Sequence, residues 1–199
     1  MRVAASFAVA AVVLGAVGLL ISLSSLGIGT YVSEAGVPGT RYEGLYRASV
    51  LAIGMAVGAL ALALRGVERA AAVALALATP FALASAAVTC SQGCPLPPYE
   101  RPTAADLVHA GSTVVSLAFC GLAILLLAWR GPDGPLRTVA RAGLVVAVPL
   151  LAASGASLVF AGRGTATGVL ERLALAAALG WLIATAVAVA VRSSPSAAR

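Results

Sequence analysis

The run "LVHAGSTVVSLAFCGLAILLLAW", residues 107–129, decides the fold class of this chain. It contains no Lys, Arg, Asp or Glu, and about 20 predominantly apolar residues in a helix are enough to cross the hydrocarbon core of a bilayer. Hydrophobic residues make up 61% of the whole chain and charged residues only 10%, whereas a soluble domain has about 45–50% and 25%. A chain of this composition needs lipid as its solvent, which indicates an integral membrane protein.

Five further uncharged windows accompany this run, so the sequence predicts an all-α bundle of six transmembrane helices. Helices are expected rather than strands, because a lipid-exposed backbone must satisfy its own hydrogen bonds and no segment alternates as barrel strands do. The first window is longer than the 7–15 residues of a signal-peptide core, which predicts a retained helix. The predicted domain covers 1–192, followed by a disordered cytoplasmic tail, 193–199, and its spans are about 3–26, 48–64, 70–89, 107–129, 142–161 and 173–191.

The distribution of arginine predicts the orientation. The net charge is +6, and all basic side chains are arginines that lie between or at the ends of the spans, which argues against a nucleic-acid partner. An excess of basic residues marks cytoplasmic loops, so we predict both termini in the cytoplasm and a location in the plasma membrane. In this orientation the inner arginines are 2, 65, 69, 130, 137, 141, 192 and 199, and the outer ones are 41, 47, 101, 163 and 172.

The alanine-rich, lysine-free composition suggests a bacterium, in particular an actinobacterium.

Two cysteines lie in the loop before the fourth span, which this topology places outside. In "TCSQGCP", Gly93 and Pro95 bend the chain so that Cys90 and Cys94 can approach disulfide distance. Disulfides form and persist outside the cytoplasm, which favours a bridge over free thiols or metal ligation. Cys120 lies in the middle of the fourth span, where a packing role is expected.

Asp106 and His109 open the fourth span. "TAAD", 103–106, predicts a capping box in which Thr103 and Asp106 exchange hydrogen bonds. His109 follows on the same side of the helix. It is either an interfacial hydrogen-bonded residue or a proton carrier and ligand contact held by Asp106.

Glu171 and Arg172 open the sixth span, and Glu34 lies in the glycine-rich loop after the first. Glu171 suits the helix dipole or faces the bundle, while Arg172 snorkels or holds an anionic head group. We expect the outer mouth to form where spans 1, 4 and 6 meet. Its candidate ligand-binding residues are Glu34, Asp106, His109, Glu171 and Arg172.

Four short stretches resemble a bacterial membrane family known as domain of unknown function 998. They are "YVSEAGVPG" after the first span, "CSQGCP", "DLVH" at the fourth span and "GVLERL" at the sixth. The resemblance implies a six-helix multi-pass protein whose activity is not established, and it supplies no catalytic residues. Relatives often carry an Asp- and Pro-rich turn where this chain has its cysteines, so the resemblance assigns no role to that loop.

The favoured function is a non-enzymatic protein that binds or moves a small amphiphile at the outer leaflet through this polar vestibule. The main alternative is a structural or accessory subunit of a membrane complex. A membrane-embedded lipid hydrolase is less favoured, because a single histidine excludes a His-based zinc site and Asp106, His109 and Ser112 do not align as a triad. The C-x3-C spacing also departs from thiol oxidoreductases. We expect no metal, no cofactor and no nucleic acid; membrane lipids are the expected surroundings, and a protein partner stays open.

Overall fold

The computed structural model describes residues 1–192, and in this range the chain is all-helical. All six long helices are long and apolar enough to cross a membrane, which confirms the predicted six-span, all-α class. A short 3-10 helix, Val32–Gly36, lies between the first two. The predicted tail, 193–199, lies outside the described residues. The helices are α1 Arg2–Leu23, α2 Glu43–Leu64, α3 Arg69–Ala87, α4 Ala104–Arg130, α5 Pro135–Phe160 and α6 Thr165–Arg192.

Three helices begin well before the apolar windows that indicated them. α2 begins at Glu43, α5 at Pro135 and α6 at Thr165, each at least five residues ahead of the predicted span. Charged and polar residues cost little near the ends of a span, so the helix continues where the apolar pattern has already stopped. The first turns of α2 and α6 therefore carry the polar side chains of one face of the bundle.

The six helices form a ring in chain order. Each packs against the next, and α6 closes the ring against α1. Met1, Arg2 and Arg192 line one depression together with the α2–α3 turn, so both described ends lie on the same face, here called the terminal face. The opposite side is the loop face. Whether the terminal face or the loop face lies on the cytoplasmic side remains a prediction, which is based on the distribution of the arginines.

Small residues let the helices approach closely. A Cβ atom at Gly15 or Gly18 of α1 would collide with Ser49 of α2. Added Cβ atoms at Gly54 and Gly58 would be in tight contact with α3. Close van der Waals packing of this kind stabilises helix association in lipid. The hydrophobic effect does not drive helices together there, because lipid tails are as apolar as the helix surfaces.

Apolar side chains cover the outside of the ring as well as its interior. Leu14, Val145 and Phe160 are 70%, 73% and 82% exposed, which suits contact with lipid tails rather than water. The interior is filled mainly by alanine and by a few larger side chains that are almost fully buried. These larger ones are Val12, Leu60, Leu64, Leu75, Ile124, Leu127 and Val189.

Candidate ligand site on the loop face

Three connections pack together on the loop face, and we call them the loop layer: residues 24–42, 88–103 and 161–164. Tyr31 and Val37 of the first connection pack against Cys90 and Cys94 of the second. The two cysteines are within disulfide-bonding distance, with Cα atoms 5.0 Å apart, as the C-x3-C spacing predicted. Gly93 takes the left-handed conformation that this tight turn requires, with φ of +82°.

Asp106 fastens the second connection to α4, and its carboxylate is 1% exposed. It accepts from the backbone N–H and hydroxyl of Ser91, at 2.6 and 2.9 Å. It also accepts from the N–H and hydroxyl of Thr103, both at 2.7 Å. Thr103 accepts in return from the Asp106 amide, which confirms the predicted capping box. Four donors occupy this carboxylate, so its role is to position the loop.

His109 binds the end of α3 rather than Asp106. Its Nδ1 lies 2.8 Å from the carbonyl oxygen of Val88, the residue that caps α3. A carbonyl oxygen only accepts, so Nδ1 donates. The Asp106 carboxylate is occupied by Ser91 and Thr103, so the pairing proposed for a proton carrier is not formed.

Arg172 binds the backbone of the first connection. Its Nη1 donates to the carbonyls of Thr30 at 3.0 Å and Ile28 at 3.3 Å, and its Nη2 donates to that of Gly27 at 3.0 Å. A further bond goes to Gly168 within α6. The fan of donors on a guanidinium allows one side chain to serve several acceptors. These carbonyls occupy the group that was expected to hold an anionic head group.

Arg163 links all three connections, although the sequence did not single it out as a site residue. From residues 161–164 it pairs with Glu34, donates to the Gly93 carbonyl and lies 3.7 Å from Glu100. Its guanidinium also lies over the Tyr31 ring, 4.9 Å from the centroid. The one signal in the sequence is an arginine isolated in a very short connection.

Several carboxylates surround Tyr31 at the centre of this layer. Glu34 accepts from the Tyr31 amide at 2.9 Å, and the same oxygen accepts from Arg163. Burial raises the pKa of the Tyr31 hydroxyl above 10.0, and the Arg163 guanidinium opposes that rise. Nearby carboxylates add to it: Glu100, Glu171 and Glu34. Besides burial, three acidic side chains and one basic side chain therefore affect the pKa of the Tyr31 hydroxyl.

Glu171 is the acid in this group that has no cation bound to it. Its side chain is half-buried on α6, and Oε2 accepts from the Val32 amide at 2.9 Å. Within residues 1–192 it forms no ion pair, in contrast to Glu34 and Glu100, which both pair with Arg163. The neighbouring Arg172 guanidinium attracts the Glu171 carboxylate without forming an ion pair with it, and it donates to backbone carbonyls instead. Glu171 therefore differs from Glu34 and Glu100, which a cation contacts directly.

The predicted site residues fall into two groups instead of one vestibule. Glu34, Glu171 and Arg172 lie where α6 meets the first connection, whereas Asp106 and His109 lie where α4 meets the end of α3. The expectation that spans 1, 4 and 6 meet is wrong, because α4 packs between α3 and α5 while α1 and α6 pack on each other. A ring in chain order separates the first span from the fourth.

The two loop cysteines, Asp106 and His109 are all bonded to groups within the protein. Cys90 lies against Cys94, Asp106 binds Ser91 and Thr103, and His109 binds the Val88 carbonyl. Over residues 1–192, His, Cys, Asp and Glu side chains do not come together in threes as metal ligands.

The comparisons with known proteins support the family and leave the activity open. No curated protein and no solved structure shows significant similarity to this chain. One family model matches residues 3–188, which is nearly the whole chain and includes all six helices apart from their outermost residues. The chain therefore belongs to the family described as "Protein of unknown function (DUF998)".

Proposed function

We propose that this protein binds a small amphiphile with an amine head group on the loop face and catalyses no reaction. The observation that carries the proposal is the Glu171 carboxylate, which is half-buried near the start of α6 and forms no ion pair among residues 1–192. Arg172 attracts it but donates its hydrogen bonds to backbone carbonyls. A primary ammonium group would supply a directly bound positive charge and the donors for the second carboxylate oxygen.

The surrounding charges favour a cation over an anion. The two arginines nearest to this site are occupied, Arg163 by Glu34, Glu100 and a carbonyl, and Arg172 by backbone carbonyls. An anionic head group would have to displace one of them from several bonds. An ammonium group would meet a carboxylate that already faces the loop layer.

Apolar side chains below Glu171 provide a surface for the tail. Glu171, Leu175 and Leu179 are spaced four residues apart and therefore lie on one side of α6. Leu175 and Leu179 are partly buried against a small cluster that includes Leu19 and Val32. A hydrocarbon tail could follow this stripe between α6 and its neighbours while the head stays at Glu171.

The other candidate residues then act as positioning residues. Arg172 fixes the start of the first connection, and Glu34 fixes the 3-10 helix whose first amide binds Glu171. Asp106 and His109 fix the second connection from the other side of the ring. In this proposal they shape the site without contacting the ligand.

The test is binding of dodecylamine to the purified full chain, compared with dodecanol as a neutral probe of equal length. Glu171→Gln keeps the acceptor for the Val32 amide but removes the charge, and we expect about tenfold weaker amine binding or more. Glu43→Gln is the matched control, since Glu43 lies on the same face and binds the Gly39 amide and Arg47. Equal binding of amine and alcohol, or an equal loss in both variants, would contradict the proposal and favour a structural subunit.

We further propose that the loop face is extracytoplasmic in the bacterial plasma membrane, because the terminal face carries more arginine. The exposed residues Arg101 on the loop face and Asp133 on the terminal face offer matched reporter positions. With a membrane-impermeant maleimide, we expect Arg101→Cys to label in intact cells and Asp133→Cys only after lysis. The opposite pattern would invert the topology. Cys120 is buried and Cys90 lies against Cys94, so the background should be low.

A further inference from the structure

A groove of about 530 Å³ runs between α3 and α4, starting at the terminal face. It lies far from the loop layer, at the opposite ends of these two helices. Charged side chains line its mouth: Glu68, Arg69 and Arg130. Apolar side chains line the part that extends toward the middle of the membrane: Val73 and Leu77 from α3, and Leu122 and Leu126 from α4.

The two helices present the same pattern in opposite chain directions. On α3 an arginine is followed at four-residue intervals by apolar residues, as Arg69, Val73 and Leu77. On α4 the order is reversed, and Leu122 and Leu126 lead to an arginine at 130. Residues four apart lie above one another on a helix, so each stripe descends about 12 Å from its arginine. The groove is thus basic at the membrane surface and apolar below it.

The arginines at the mouth have donors to spare. Arg130 is 64% exposed, and its Nε lies 3.9 Å from Glu68, which leaves its terminal nitrogens directed elsewhere. In the described part of the chain Arg69 forms neither an ion pair nor a side-chain hydrogen bond, and it is exposed. The Glu68 carboxylate is buried and accepts from the Ala71 amide at 2.5 Å, which turns it toward the start of α3. Two arginines against one acid leave the mouth with a net positive charge.

The apolar part of the groove is open to lipid. Val73, Leu77 and Leu122 are 51%, 47% and 42% exposed. Their exposure on either side of a concave seam provides a surface that an acyl chain can follow. The combination of a cationic mouth and an apolar seam matches a molecule with an anionic head and a hydrocarbon tail.

We propose that this groove is a binding site for an anionic phospholipid. The phosphate lies between Arg69 and Arg130, and one acyl chain lies along the two stripes. Basic pockets between transmembrane helices recognise anionic head groups in this way, and guanidinium groups bind phosphate through paired hydrogen bonds. A zwitterionic lipid would bring a cationic head group next to two arginines, so the site should discriminate against it.

Native mass spectrometry tests the proposed lipid site. The full chain in detergent is titrated with phosphatidylglycerol or with phosphatidylcholine of identical acyl chains. We expect preferential binding of phosphatidylglycerol, reduced about tenfold in Arg69→Gln/Arg130→Gln. Arg141→Gln/Arg192→Gln removes the same charge from exposed residues outside the groove and should retain the preference. Equal binding of the two lipids by the unchanged protein, or an equal loss in both double variants, would overturn the proposal.

A second pair of variants tests the apolar seam with all charges kept. Leu126→Trp should fill the groove and displace the lipid, whereas Leu14→Trp changes an exposed residue of α1 and should leave binding unaltered. Loss of the phosphatidylglycerol preference in Leu126→Trp alone would support an acyl chain in the seam. Unchanged binding in that variant would show that the lipid lies elsewhere and would reject the groove.

Discussion

Replacing Asp106 by Asn is expected to lower the free energy of unfolding by about 2–4 kcal/mol. Each carboxylate oxygen accepts one backbone amide, Oδ1 that of Ser91 and Oδ2 that of Thr103. An asparagine must therefore direct its NH2 group at one of these N–H donors, whichever way the amide turns. That donor is left without an acceptor in a site that is almost fully buried, and the second connection loses its attachment to α4.

The measurement is equilibrium unfolding of the detergent-solubilised protein, followed by tryptophan fluorescence. Asp133→Asn is the matched control, because its side chain is 89% exposed and pairs only with Arg137 among the described residues. Exposed ion pairs contribute about 0–1 kcal/mol, so we expect little change there. Equal effects of the two substitutions would show that the Asp106 carboxylate does not support the loop layer.

Replacing Gly168 by Ala should destabilise the protein by about 1–3 kcal/mol, although alanine is the better helix former. A Cβ atom at this position of α6 would collide with the Ile28 carbonyl oxygen. That carbonyl belongs to the segment whose neighbouring carbonyls bind Arg172. To avoid the collision, the backbone around Ile28 must move away from α6, which lengthens the hydrogen bonds from Arg172 to the neighbouring carbonyls.

Gly180→Ala on the same helix provides the control. An added Cβ atom at Gly180 meets no heavy atom within 4 Å, so the change should stabilise α6 by up to about 1 kcal/mol through helix propensity. The two glycine substitutions are thus expected to act in opposite directions in the same unfolding measurement. Destabilisation by both, or by neither, would contradict the close approach of the first connection to α6.

Features that depend on near neighbours in the chain were predictable. The spans follow from uncharged apolar windows, the capping box joins Thr103 to Asp106 three residues later, and Cys90 and Cys94 are separated by four. In each case the chemistry is complete within one short stretch. A local pattern then carries enough information to fix the local structure.

The loop layer was not predictable in the same way, because its bonds join distant parts of the chain. Arg163 meets Glu34 across 129 residues, and Arg172 meets Gly27 across 145. Most acceptors are backbone carbonyls, which every residue offers, so no side-chain pattern indicates them. His109 illustrates the consequence, since its neighbour in sequence, Asp106, is not its partner, and its acceptor is the Val88 carbonyl.

Glu171 was singled out from the sequence, but the proposal of a cationic ligand rests on bonds that only the structure gives. The adjacent Arg172 suggested an anionic head group until its donors were found on the carbonyls of the first connection. With the donors of both nearby arginines bound to other groups, the carboxylate is the charged group that we propose for ligand binding. The proposed ligand class thus rests on the bonds around the site more than on its residue types.

Native mass spectrometry of the purified protein without added ligand, beside Glu171→Ala and His109→Ala, tests the central claim most directly. The account predicts a discrete adduct, with the mass of an amine-bearing amphiphile, that is lost in Glu171→Ala and kept in His109→Ala. An adduct that survives in Glu171→Ala, or one that depends on His109 alone, would contradict a ligand site at Glu171.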